Sequence, residues 1–238
     1  PADLVRTIER AGKFGIDVEV KKVGFKEVMD RMRTLIYAEI NMIRDGLSHS
    51  NNIDYYPARA EFITPYKLKV DDDTITSNMI ILCTGSKPTV PAIKGLENVG
   101  YHTSDTVLRL DRLPESLAIV GGGYIAAEYS HFFSSMGSKV TVIGRNPQFL
   151  SEEEPEVSAL AKRKLQEHVR VLTNHEVREV EKASAGRKRL FASDRENGKK
   201  IEITAEEILV ATGRGPNTDM LHPERGGIKT DGEGWIIV

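Results

Sequence analysis

Apolar residues first recur at helical spacing over residues 25–45, where Phe25, Val28, Met29, Met32, Leu35, Ile36, Ile40 and Ile43 share one face. The pattern predicts a long helix with that face on a core, ended by Gly46 and the polar residues that follow. A shorter, more polar helix is predicted over 2–12. The pattern then changes to short alternating runs at 54–56, 58–63, 67–70 and 74–75, with the turn Asp71-Asp72-Asp73 before the last. This predicts a small β-rich unit with hairpins. Residues 79–83 are a continuous apolar run, which predicts a buried strand entering Thr84, Gly85 and Ser86. Pro88, Pro91 and Gly95 mark a crossing segment. A short helical piece at 105–112 and the pair Leu113-Pro114 lead into the next strand.

The second half of the chain alternates apolar strands and helices. Leu117, Ala118, Ile119 and Val120 are all apolar, as in a parallel strand covered on both faces. A helix is predicted over 124–136, stopped by Gly137, and a strand over 140–143, so the three form a βαβ unit. Another helix at 155–168 follows, with Ser151 as a candidate cap and Glu152, Glu153 and Glu154 as an acid-rich first turn. Strands at 169–172, 177–180, 190–192, 200–204 and 208–211 complete the pattern, and Trp235 to Val238 reads as a final strand. Two strand ends echo each other: Ile81-Leu-Cys-Thr-Gly85 and Leu209-Val-Ala-Thr-Gly213. The fold class is α/β.

The loop between the strand at 117 and the helix at 124 carries candidate chemistry. Gly121-x-Gly123-x-x-Ala126 fits the dinucleotide-binding fingerprint. Gly121 allows the tight turn, Gly123 removes a side chain where a pyrophosphate approaches the backbone, and Ala126 lets helix and strand pack closely. The free N–H groups and positive end of the helix dipole face the same loop. At the end of the next strand an acid would favour NAD, and a basic residue without the acid would favour the 2′-phosphate of NADP. Gly144 stands at that position and Arg145 follows it. A guanidinium offers a planar fork of donors to phosphate, so NADP is expected. The alternative is that Arg145 is only a solvated loop residue.

Composition narrows the field. The chain has 238 residues and is 39% hydrophobic, with Lys and Arg totalling 33 against 35 Asp and Glu, a formal net charge of −2. Nucleic-acid binding is not expected from this balance, and Arg187-Lys188-Arg189 reads as a solvated turn. No apolar run is long enough to span a bilayer, so no membrane association is expected. The single cysteine, Cys83, reads as a buried structural thiol without a disulfide partner. The histidines are scattered. His131 lies three residues after Glu128, but a metal would need more ligands. The polar helical pattern directly after Pro1 suggests a piece of a longer protein.

The motifs Thr-Gly-Ser-x-Pro-x-x-Pro-x-Ile-x-Gly (84–95), Val-Gly-Gly-Gly-Tyr-Ile-Ala-Ala-Glu (120–128) and Ala-Thr-Gly-Arg-x-Pro-Asn-Thr (211–218) occur in one order along nearly the whole chain. Together they resemble the flavoprotein disulfide reductases, the family of dihydrolipoamide dehydrogenase, glutathione reductase, mycothione reductase and mercuric reductase. The Ala-Ala-Glu ending and Arg145 most resemble the mycothione reductase and archaeal-type dihydrolipoamide dehydrogenase branch. The resemblance implies a Rossmann-like NAD(P)-binding domain at 113–220, inserted in an incomplete FAD-binding domain formed by 1–112 and 221–238. It implies that a reduced nicotinamide passes hydride to flavin, which reduces a disulfide and through it the substrate, a small-molecule or protein-bound disulfide. Implied NAD(P) contacts are Gly121, Gly122, Gly123, Tyr124, Ile125, Glu128, Gly144, Arg145, Asn146, Val177, Thr212, Gly213 and Arg214. Glu128 would lie near the nicotinamide–flavin junction, and Ala60, Thr84 and Gly85 would lie along FAD. The parent protein is expected to be a cytoplasmic homodimer. The family's FAD fingerprint, redox cysteine pair and C-terminal dimerisation domain have no counterpart in these residues, so the chain alone is expected to be inactive. Two alternatives are a flavoprotein of the same fold without disulfide chemistry, such as a soluble transhydrogenase-like protein, and a non-catalytic NAD(P)-binding module.

Overall fold

In the computed structural model, which describes residues 1–238, the helices and strands in chain order are α1 (Ala2–Arg10), α2 (Phe25–Ser48), β1 (Ala60–Thr64), β2 (Lys67–Val70), β3 (Asp73–Thr76), β4 (Ser86–Pro88), α3 (Leu96–Val99), β5 (Ser116–Val120), α4 (Tyr124–Met136), β6 (Lys139–Ile143), α5 (Pro155–Leu165), β7 (Arg170–Leu172), β8 (His175–Lys182), β9 (Lys188–Asp194), β10 (Lys200–Ala205), β11 (Glu207–Val210) and β12 (Arg214–Pro216). They divide into two units, Pro1–Arg33 with Val90–Gly213, and Thr34–Thr89 with Arg214–Val238.

In the first unit the apolar runs pair as a parallel sheet in the order β11-β5-β6-β7. The segment at His102 extends its edge: the His102 N–H donates to Ile208 O at 2.8 Å and Val210 N–H donates to His102 O at 2.8 Å. Because side chains alternate along a strand, each run feeds two cores. Leu117 and Ile119 of β5, Val140 and Val142 of β6, and Leu209 of β11 pack with Phe133 and Met136 of α4 and with Phe25 and Met29 of α2. Ala118, Val120, Ile143, Ile208 and Val210 face the other way, against Val177, Val180, Leu190, Ala192 and Ile203 of the antiparallel sheet β10-β9-β8. Burial on both faces is why β5 and β11 read as unbroken apolar runs rather than as alternating ones. α4 ends at Gly137, which takes φ 114° and sends its N–H back to Ser134 O.

The second unit contains the antiparallel sheet β1-β2-β3 and the pair β12-β4. Phe62 and Val70 are its buried strand side chains. Gly226 lies against the Phe62 ring, where an added Cβ would stand 2.8 Å from it. The predicted turn at 71–73 is present, with Asp71 at φ 51°.

Several sequence expectations are corrected. α2 runs through Gly46 to Ser48. Its apolar face is covered only at the start: Phe25 and Met29 are buried, whereas Leu35, Ile36, Ile40 and Ile43 are exposed. A helix of this length extends about 36 Å, and periodicity shows where a face lies but not what covers it. Residues 54–56 form no strand, and neither do residues 79–83. Met79 and Ile81 are exposed, and Cys83 is an exposed free thiol rather than a buried one. An apolar run becomes a strand only where another backbone satisfies its N–H and C=O groups, and no strand pairs with this one. At the C-terminus only an isolated bridge between Thr230 and Ile236 forms. α5 ends at Leu165 and starts after Glu154, whose side chain makes no capping hydrogen bond, with Pro155 in its first turn; Ser151 accepts a hydrogen bond from Asn146 Nδ2 instead of capping the helix. The basic cluster is not a solvated turn: Lys188 and Arg189 open β9, and Arg187 pairs with Glu115, Lys188 with Glu207 and Arg189 with Glu181.

Candidate nucleotide site at the end of the parallel sheet

The carboxyl ends of β5, β6 and β11 converge on one place. In an open α/β sheet that is where ligands bind. The loop after β5 is held by backbone contacts on both sides. Gly121 N–H donates to Ile143 O at 2.9 Å, and Ala211 N–H donates to Val120 O at 2.7 Å. Gly121 has φ 135°, and a Cβ there would collide with the Ala211 carbonyl oxygen. This position therefore needs glycine for the fold itself. Gly122 and Gly144 face each other across the ends of β5 and β6: a Cβ on Gly144 would stand 3.3 Å from Gly122 Cα. Gly122 O accepts from Leu150 N–H at 2.8 Å, and Phe149, which is buried, lies under Gly122.

Gly123 differs. Its backbone is extended (φ −90°, ψ −171°), it caps α4, and a Cβ there would meet no protein atom within 4 Å. Nothing in the protein requires glycine at this position. No side chain caps α4, and no acid occupies its first turn. The helix start thus presents backbone donors and a positive dipole end to open space. Those are the requirements for holding a pyrophosphate, and the residues present fit one.

Tyr124, in the first turn, is exposed, and Ile125 packs partly on the core. Glu128 is one turn further along α4, exposed, and makes no ion pair or hydrogen bond. Thr212 and Gly213 are exposed at the end of β11, with Gly213 at φ 130°. Gly144 leads from β6 into Arg145 and Asn146, both exposed, and the Arg145 guanidinium has no partner within the protein. The sheet ends therefore bring together Gly121, Gly122, Gly123, Gly144 and Thr212, with Tyr124, Ile125, Arg145, Asn146 and Gly213 adjoining in sequence. Val177 is placed differently: its side chain is buried in the core between the two sheets. Arg214 belongs to the second unit, where its Nε donates to Ser86 Oγ at 2.8 Å and its Nη2 to Ser86 O at 2.6 Å. Ala60 opens β1 opposite Val70 in that unit, and Gly85, at φ 66°, accepts from Asn217 N–H at 3.2 Å next to Thr84.

Sequence reasoning missed the residues that support the Arg145 loop. Asn174, at φ 60°, donates its N–H to Asn146 O at 2.8 Å, His175 N–H donates to Gly144 O at 3.0 Å, and Arg195 Nη1 donates to Arg145 O at 3.0 Å. The one usable signal was Asn174 itself, a residue type that tolerates the left-handed region, placed between two strands. His131 is not near a second ligand set: its Nε2 lies 2.8 Å from Asp3 Oδ1, and no group of three or more His, Cys, Asp or Glu side chains could hold a metal. No helix is long and apolar enough to cross a membrane.

Known proteins share this arrangement. A mercuric reductase of Lysinibacillus sphaericus is 28% identical over 98% of this chain and 44% of its own length. A mycothione reductase of Mycobacterium tuberculosis is 31% identical over 100% of this chain and 51% of its own. The solved structure of the HOCl-induced flavoprotein disulfide reductase RclA from Escherichia coli superposes with a TM-score of 0.82 at 27% identity, covering 99% of this chain and 51% of that one. The chain spans about half the length of the relatives it matches. The sequence profile described as pyridine nucleotide-disulphide oxidoreductase matches residues 8–238. With its glycine loop at the end of a parallel sheet and that match over almost its whole length, the chain belongs to the pyridine nucleotide-disulphide oxidoreductase family.

Proposed function

We propose that this chain forms the pyridine nucleotide-binding part of an FAD- and NAD(P)H-dependent disulfide oxidoreductase, with NADPH as the preferred reductant. The observation that carries the reading is Gly123: a glycine that the fold does not need, at the uncapped start of α4, beside the converging ends of three parallel strands. The backbone N–H groups of the first turn of α4 would hold the pyrophosphate. Tyr124 and Glu128 would line the nicotinamide side, with Thr212 and Gly213 on the opposite wall. Arg145 and Asn146 would receive the adenosine ribose, the unpaired guanidinium meeting a 2′-phosphate as a charge-assisted fork.

When bound, NADPH supplies the hydride. The residues described here bind and orient it. In this reading residues 113–220 are the NAD(P)-binding domain, residues 1–112 and 221–238 belong to an FAD-binding domain, and Ala60, Thr84 and Gly85 adjoin FAD. The substrate class is a small-molecule or protein-bound disulfide, acted on by a homodimeric parent protein in the cytoplasm. The dihydrolipoamide dehydrogenase-like and mycothione reductase-like activities are both compatible with it.

Calorimetric titration tests the nucleotide assignment. NADPH is expected to bind about tenfold more tightly than NADH, as one charge-assisted contact of roughly 1.4 kcal/mol would give. Arg145→Ala should remove most of that difference while leaving NADH affinity unchanged. Equal affinities in the unaltered protein overturn the NADPH preference, and failure to bind either nucleotide overturns the site.

A further inference from the structure

The Arg145 loop is tied to a second segment far away in sequence. β9 and β10 are joined by a tight turn that Asp194 organises: its carboxylate accepts from the Glu196 N–H at 2.8 Å, from Asn197 Nδ2 at 3.1 Å and from Asn174 Nδ2 at 3.2 Å. The backbone N–H of Glu196 foremost, with the donors of Asn197, holds its pKa below the usual carboxylate range. The next residue, Arg195, sends its backbone N–H to Asn174 O at 2.8 Å, and Asn174 in turn donates to Asn146 O at 2.8 Å. The Arg195 side chain closes the circuit, with Nη1 on the carbonyl of Arg145 at 3.0 Å. Two guanidinium groups therefore stand at the same loop, one carried by it and one docked against its backbone.

Neither guanidinium is fully engaged within the protein. Glu176 Oε2 is 3.9 Å from Arg195 Nε and is already engaged at 2.6 Å by Arg178 Nη2, and the neighbouring Asp194 carboxylate is taken up by the donors of its own turn. Arg145 has no partner. Arg178 and Arg195 share one carboxylate, and the Arg195 side chain remains 46% exposed although it is anchored. A phosphate monoester carries about −1.5 to −2 charge near neutral pH, which two guanidinium groups at one loop complement. Arg195 has one N–H on a backbone carbonyl and further donors of its fork unused, the condition in which a guanidinium is oriented before a phosphate arrives.

We propose that Arg195 is a second specificity-determining residue, contacting the 2′-phosphate of NADPH beside Arg145. Reductant choice is then set by two segments, the end of β6 and the β9–β10 turn, rather than by the β6 end alone. The proposal rests on the NADPH reading given above.

The test compares dissociation constants for NADPH and NADH in the unaltered protein and in Arg195→Ala, Arg195→Lys and Arg145→Ala, each checked for an unchanged melting temperature. Arg195→Ala is expected to weaken NADPH binding about fivefold to tenfold, with NADH changed less than about twofold, in the range of one ordinary hydrogen bond at a half-exposed site. Arg195→Lys keeps the charge without the fork and should recover part of the lost preference. An equal loss for both nucleotides would show that Arg195 only props the loop, and overturns the contact. A preference that survives Arg195→Ala but disappears in Arg145→Ala overturns this proposal alone. Absence of any NADPH preference in the unaltered protein overturns the underlying reading and this one with it.

Discussion

Two segments of this chain read almost alike and fold differently. Residues 79–83 and residues 208–211 are both short apolar runs, and both end in Thr-Gly, at Thr84-Gly85 and Thr212-Gly213. The second is β11, with Ile208 and Leu209 fully buried and β5 hydrogen-bonded along its side. The first has no strand structure, and Met79, Ile81 and Cys83 are exposed. The difference is not in the residues but in what lies beside them. β11 has β5 on one edge and the His102 segment on the other, a helical layer on one face and an antiparallel sheet on the other. Residues 79–83 have no such neighbours. Apolar content is therefore permission to become a buried strand, and paired backbone is the cause.

The strongest way to break the comparison is to make the paired region resemble the unpaired one. Gly121→Val places a Cβ against the Ala211 carbonyl and demands φ 135° of a β-branched residue. Thermal or urea unfolding should show a loss of at least about 3 kcal/mol, in the range of severe core and backbone lesions. A loss under about 1 kcal/mol would mean that β5 and β11 do not meet as described.

A second prediction sharpens the other side. The Cys83 thiol should react with an aromatic disulfide reagent in native buffer at a rate within about tenfold of that in denaturant, since exposure governs access. Strong protection would show that residues 79–83 are covered in solution.

The smallest expected effect lies at the edge of β11. Burial, opposed by the Glu207 carboxylate and aided by the Lys188 charge, holds the pKa of His102 below its ordinary value. The unfolded chain then binds the proton more readily, so stability is complete above the unfolded histidine pKa and is lost as pH falls through it toward the folded value. Stability measured at pH 7 and pH 5 should fall toward acid, and His102→Gln should reduce the slope. An unchanged slope removes His102 from the account.

Much of this architecture was legible in the sequence because the signals were local. β5, α4 and β6 lie within a residue of their predicted limits, since an apolar run, a glycine loop and a glycine stop each act over a few residues. The glycine roles were only partly legible. The fingerprint named Gly121 and Gly123 together, and only the structure separates a glycine demanded by Ala211 from one demanded by nothing in the protein. Arg195 was not legible at all, because a β-turn residue 50 positions from Arg145 becomes its neighbour only through the register of two sheets. The exposed half of α2 was misread for the same reason that residues 79–83 were: a periodic face does not state its partner.

The central claim is that Gly123 is kept open for a ligand. Nucleotide titration of Gly123→Val tests it most directly, because its backbone angles are open to any residue and its Cβ would touch no protein atom. The account predicts a melting temperature within about 2 °C of the unaltered protein, a small change for a domain of this size, together with at least a tenfold loss of NADPH affinity, or about 1.4 kcal/mol. Unchanged affinity in a fully folded variant would contradict it.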